Sequence, residues 1–171
     1  MRRVVYSVAM SLDGFIAGPN GEYDWITMDP AINWKAFMGR FDTMLLGRKT
    51  YQISAGSGPS MKSMKTVVFS RTLTLPRNSR ATVVRDNAAE FVAGLKQESG
   101  KDMWLMGGGV LFRSLLDSGQ VDAVEVGLIP ILLGKGIPFL PPTDQRQKLE
   151  LKKAEKLEAT GTVMLNYDVR R

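Results

Sequence analysis

The sequence predicts an α/β fold: a mostly parallel central sheet with helices on both faces and a C-terminal antiparallel hairpin. Two observations carry that prediction. Short β-rich runs alternate with stretches of helical period through most of the chain, which is the pattern of strand–helix–strand crossovers, and the chain then closes on two consecutive strand-like segments. A third observation bounds it: 171 residues, 44% of them hydrophobic, suffice for one well-buried core and are few for two, so residues 1–171 are read as a single domain.

The strands are read in order at RVVYSVA (3–9), TMLLG (43–47), TVVFS (66–70), TVV (82–84), MWLM (103–106) and VDAVEVGLI (121–129). Helices are expected between them. In 29–37, Asp29 stands as N-cap before Pro30 as first helical residue; in 87–99, Asn87 caps and Gly100 stops; in 109–119, Leu111, Leu115 and Leu116 share a face and Gly119 ends the run. The last segment, 148–170, reads as a hairpin turning through Gly161, its second strand alternating at Val163, Leu165, Tyr167 and Val169. GSGPSMKS (56–63) has a lysine and serine without P-loop spacing and reads as a flexible loop.

Composition removes whole classes of chemistry. The chain has no cysteine and no histidine, which excludes disulfides, thiolate nucleophiles, Cys/His metal sites and imidazole bases; no metal is expected. The apolar part of the N-terminal run is too short and interrupted for a signal sequence or membrane span, so a soluble, cytoplasmic protein is expected. A net charge of +6 raises the possibility of a nucleic-acid-binding module, but the cations are scattered, and the densest group, Lys148 to Lys156, alternates with glutamates as a solvated face does. No nucleic-acid partner is expected.

Three glycines, Gly107 to Gly109, sit where a strand hands over to a helix. Such a turn either packs tightly or lets backbone N–H groups approach a phosphate at the helix N-terminus; G-x-G-x-x-G is absent. Two further strand ends tip the balance toward a phosphorylated ligand, one delivering Gly47, Arg48 and Thr50, the other Ser70 and Arg71.

Taken in order, VAMSLDGFIA, LLGRKTY, VVFSR, WLMGGGVLF and VDAVEVGLIPILLGKGIPFLP resemble the dihydrofolate reductase-like superfamily over nearly the whole chain. The resemblance is closer to the branch that holds the reductase domain of bifunctional riboflavin-biosynthesis enzymes and its stand-alone relatives. It implies NADPH across the carboxyl ends of the strands. Gly107-Gly108 then matches the family's cis glycine pair, with Gly109, Val110 and Leu111 along the pyrophosphate. Gly47, Arg48 and Thr50 face the phosphates, Ser70 and Arg71 take the adenosine 2′-phosphate, and Ala9 and Ile16 lie beside the nicotinamide.

The implied function is hydride transfer to a pyrimidine-type heterocycle or its attached ribose, as in 5-amino-6-(5-phosphoribosylamino)uracil reductases, with a pterin as the alternative substrate and a non-catalytic nucleotide-binding protein as the rival class. Polar candidates around the first helix are Asp24, Asp29 and Asn33. Asp29 is the first choice as catalytic, substrate-binding acid, although an Asp before Pro is more often a cap. Asp13 in the SLDG loop, Trp25, Asn33 and Phe37 are the expected substrate contacts. Two departures bear on substrate: Met106 stands where the riboflavin branch carries glutamate, and Ala31-Ile32-Asn33 where it carries an arginine for a ribose phosphate. A homodimer is expected from the closing hairpin and the apolar segment 127–141, and from the habit of that branch.

Overall fold

The computed structural model describes residues 1–54 and 63–170, so most of the 56–63 loop lies outside the described residues. Ten strands are present among them: β1 (Val4–Ser11), β2 (Phe15–Ala17), β3 (Phe41–Gly47), β4 (Lys65–Phe69), β5 (Thr82–Val84), β6 (Asp102–Gly107), β7 (Ala123–Ile129), β8 (Ile137–Pro138), β9 (Leu149–Lys156) and β10 (Val163–Val169). Four helices join them: α1 (Trp34–Gly39), α2 (Arg48–Ser54), α3 (Ala88–Gln97) and α4 (Gly109–Asp117). Eight strands form one sheet in the order β5-β4-β3-β6-β1-β7-β10-β9, parallel from β5 to β7 and antiparallel at β10 and β9; β2 and β8 pair separately. Among the described residues no helix is long and apolar enough to cross a membrane.

Strand alternation divides the core into two layers. On one face Val4, Tyr6, Leu45, Val67, Met103, Leu105, Val124 and Val126 meet Val92 and Leu95 of α3 and Leu111, Phe112 and Leu115 of α4. On the other, Val5, Met44, Leu46, Trp104 and Ala123 meet Phe37 and Met38 of α1 and Tyr51 of α2. The predicted helices on both faces are therefore present. Near-continuous apolar runs in β1, β3 and β6 follow from burial on two sides. Gly161, at φ 70°, turns the hairpin between β9 and β10.

Two expectations need correction. Residues 29–32 are turn rather than helix; α1 starts at Trp34, and its N-cap is Asn33, whose Oδ1 accepts from Ala36 N at 2.9 Å. Asn87 precedes α3 but sits at φ 53°, and its side chain makes no capping bond. In the apolar segment 127–141, Ile129 is buried and Leu128, Phe139 and Leu140 pack on the α3–α4 core, while Leu132 is exposed. What draws it in is the β2–β8 pairing together with Phe139 N donating to Gly14 O at 2.9 Å.

Candidate active site

The carboxyl ends of β3, β6 and β4 stand side by side, Leu46 opposite Gly107 and Gly47 opposite Phe69, so the glycine-rich turn and both polar strand ends converge. The peptide between Gly107 and Gly108 is cis. Each of the three glycines is there for a different reason. Gly107 has φ +106°, a conformation side chains rarely adopt. Gly109 lies against the chain itself: a Cβ there would stand 2.6 Å from the carbonyl oxygen of Pro138. Gly108 has an ordinary φ of −78°, and a Cβ would meet only Thr50 Oγ1 at 3.8 Å and Ile16 Cδ1 at 3.9 Å. Among the described residues, no other atom outside its chain neighbours comes within 4 Å of that position.

That space is bounded by predicted residues. Ile16 stands on β2, Thr50 on α2 and Gly47 at the end of β3; a Cβ at Gly47 would lie 3.5 Å from Gly107 O. α4 begins at Gly109 with no side-chain cap, which leaves its first-turn N–H groups to solvent or a ligand, and Val110 beside them is exposed while Leu111 is buried in the core. β1 runs parallel to β6 and pairs with it up to Tyr6 opposite Leu105, so Ala9 lies toward the same carboxyl edge of the sheet as Gly107 and Gly108.

The β4–β5 connection gathers guanidinium groups. Ser70 Oγ accepts from Thr72 N at 3.3 Å and Leu73 N at 3.0 Å, which folds the turn and leaves its own O–H proton to donate. Arg48 Nη1 donates to Thr72 Oγ1 at 2.9 Å, and Arg85 donates to the carbonyls of Arg71 at 2.7 Å and Leu73 at 3.3 Å. Among the described residues, Arg48, Arg71 and Arg85 have no carboxylate within ion-pair distance. Arg85 and Thr72 were missed by sequence reading, since only the fold brings β5 and the β4 turn together; the run VVRD offered no other signal.

The expected substrate contacts are differently placed. Asp29 is buried: Oδ1 accepts from Ala31 N at 2.9 Å, and Oδ2 from Thr160 N at 3.0 Å and Thr160 Oγ1 at 2.8 Å. These bonds, the one from Ala31 first, hold its carboxyl below the usual carboxylate range. Asp13 accepts from Ser11 Oγ at 2.6 Å, Leu133 N and Gly134 N at 2.7 Å; the Ser11 bond leads the lowering of its pKa. It binds the loop after β7 to the loop after β1. Trp25 Nε1 donates to Glu22 O within its own loop, and Asn33 is the helix cap. Phe37 packs edge-on against Trp34, Phe41 and Trp104 with ring centroids 5.7, 5.3 and 5.2 Å away. Phe37 packs on the sheet face of Val5 and Trp104, the face to which strand alternation also assigns Ser7 and Ala9.

A sheet of this order, with a glycine turn and cationic strand ends at its carboxyl edge, is the dihydrofolate reductase-like fold. Residues 2–163 match the RibD C-terminal domain, and the chain belongs to that family of riboflavin-biosynthesis-type reductases. It is similar to the uncharacterized protein YyaP of Bacillus subtilis strain 168, with 35% identity over 97% of this chain and 94% of the relative. Among solved structures, a protein assigned to riboflavin biosynthesis from Shewanella sp. PV-4 superposes with a TM-score of 0.84 at 25% identity, covering 100% of both chains. Two others share the fold. The diaminohydroxyphosphoribosylaminopyrimidine deaminase/5-amino-6-(5-phosphoribosylamino)uracil reductase of Thermotoga maritima gives a TM-score of 0.72 at 17% identity, covering 99% of this chain and 57% of that one. A dihydrofolate reductase of Enterococcus faecalis, complexed with NADP(H), gives 0.68 at 18% identity over 99% of this chain and 97% of that one.

Proposed function

We propose that this chain is an NADPH-dependent reductase that delivers hydride to a pyrimidine-type heterocycle or to the ribose attached to one, the reaction class of 5-amino-6-(5-phosphoribosylamino)uracil reductases. The observation that carries the reading is Gly108, a glycine required neither by its φ nor by any neighbour among the described residues, beside Ile16 and Thr50. The donor set around it fits a dinucleotide phosphate. The uncapped first turn of α4 suits a pyrophosphate, while Arg48, Arg71 and the O–H of Ser70 suit a 2′-phosphate. When bound, the nicotinamide supplies the hydride.

The protein's own share is placement and exclusion of water. Ala9 and Ile16 would flank the nicotinamide, and the loop after β1, latched through Asp13 to Leu133 and Gly134, closes over it. We infer that Asp29 is a tether and not the catalytic acid: both its oxygens are engaged, and a carboxyl with a lowered pKa is a poor proton donor near neutrality.

Gly108→Ala tests the reading. The variant should fold with unchanged stability and bind NADPH at least tenfold more weakly by isothermal titration calorimetry, because the new methyl group takes ligand space alone. Gly109→Ala should instead lose stability, since its methyl meets Pro138 O. Full NADPH affinity in Gly108→Ala would defeat the assignment. Cofactor bound without oxidation by any aminouracil or pterin would favour the non-catalytic class.

A further inference from the structure

On the sheet face away from α3 and α4, α1 and α2 cover only part of the surface. Their Phe37, Met38 and Tyr51 join the core that holds Val5, Met44, Leu46 and Trp104. Toward β10 the same face carries two cross-strand rows that belong to neither core layer. The first is Ala9–Gly127–Met164 and the second Ser7–Glu125–Asn166. Small side chains at Ala9 and Gly127 make a depression, and Met164 overlies it, its sulfur 3.5 Å from where a Gly127 Cβ would stand. Phe37 forms the wall on the α1 side, joined to the floor through Trp104, whose Nε1 donates to Ser7 O at 2.9 Å. β1 runs parallel to β6, so Ala9 lies toward the same carboxyl edge of the sheet as Gly107 and Gly108.

Its polar content is selective. The Ser7 hydroxyl and the Asn166 side-chain amide are half-buried and make no hydrogen bond among the described residues. Three cations beside these rows are paired with carboxylates. Arg40 donates bidentately to Glu125 at 2.6 and 3.0 Å, Arg3 pairs with Asp168, and Lys153 pairs with Glu155. A phosphate placed here would lose water without meeting an unpaired positive charge. An uncharged ring with adjoining C=O and N–H groups would find an amide and a hydroxyl of matching donor and acceptor character beside an aromatic wall.

We propose that this trough binds the substrate ring in uncharged, unphosphorylated form, with Ser7 and Asn166 hydrogen-bonding its polar edge. The proposal rests on the reductase reading above and names the substrate class for that site. Calorimetric titration of the free protein, and of the protein saturated with NADPH, with a free aminouracil base, a free pterin and the phosphoribosylamino form of the uracil tests it. At least one free ring should bind, the phosphorylated form should bind no more than about threefold more tightly than the base, and Asn166→Leu and Ser7→Ala should each weaken ring binding about tenfold while leaving NADPH affinity unchanged. The proposal is overturned if neither free ring binds, if the phosphorylated form binds more than about threefold more tightly than the base, or if either folded variant keeps full ring affinity. Failure of NADPH itself to bind counts against the reductase reading instead, since the rings are also titrated into the free protein.

Discussion

The rim around the β4–β5 turn and the trough over β1, β7 and β10 both carry arginines, yet the first presents positive charge and the second a neutral pair. In the rim, Arg48 and Arg85 donate to a hydroxyl and to carbonyls, which fixes their geometry and leaves their net charge. In the trough, Arg40 donates both ends of its fork to Glu125, so the pair shows a ligand no net charge. Glu125 also raises the pKa of Arg40, first by that hydrogen bond. A unit charge at 4 Å is worth about 4 kcal/mol at an effective dielectric near 20, enough to sort a phosphate from a neutral ring. Partner identity, more than residue type, tells which end of the site takes the polyanion.

The largest expected effect lies in the rim. If Arg48 and Arg71 meet the 2′-phosphate, each contributes roughly 1.5–3 kcal/mol, about ten- to a hundred-fold in affinity. The double variant Arg48→Ala/Arg71→Ala should therefore erase the preference for NADPH over NADH while NADH affinity changes little. In the unaltered protein that preference should also shrink as salt is raised, because these groups are exposed. Equal affinity for both cofactors before mutation would remove the rim from the cofactor site.

A smaller effect should make the trough resemble the rim. Glu125→Gln keeps the shape of the side chain but releases the charge of Arg40. The half-buried pair is worth about 1–2 kcal/mol, so the variant should be measurably less stable by denaturant unfolding. Its affinity for the phosphoribosylamino form should rise relative to the free base, by roughly tenfold. An unchanged ratio would mean that Arg40 does not face the ligand.

How far these regions could be read in the sequence depended on range. The parallel strands were legible because burial on two faces makes them apolar runs, and the glycine turn because three glycines at a strand end have few local explanations. Gly107, Gly108 and Gly109 could not be told apart, since only the fold brings Tyr6, Pro138 and Ile16 against them. Asp29-Pro30 carried a strong local cap signal that a bond to Thr160, far along the chain, overrode. Ser7, Glu125 and Asn166 gave no signal because strands far apart in sequence contribute one residue each to the row. The β2–β8 pair was missed because strands of three and two residues leave too little pattern.

The smallest effect belongs to the tether that holds the near end of the trough's wall. α1 has no fully buried residue and is held from both sides, by Asp29 on Thr160 before it and Arg40 on Glu125 after it. The Asp29 carboxyl has a folded pKa below its unfolded value of about 3.9, so the folded state holds fewer protons between the two. Its contribution is therefore complete above the unfolded pKa and is lost as pH falls through the folded one. Thermal unfolding followed from neutral pH to below pH 3 should show Asp29→Asn a few degrees less stable at neutrality, with the gap closing as acid protonates the carboxyl it replaces. NADPH affinity should not move, and turnover should stay within about threefold, because the rim and the floor of the trough are untouched. A hundredfold fall in turnover at unchanged stability would make Asp29 a group that acts on the substrate, and would place the catalytic acid on the loop before α1 after all.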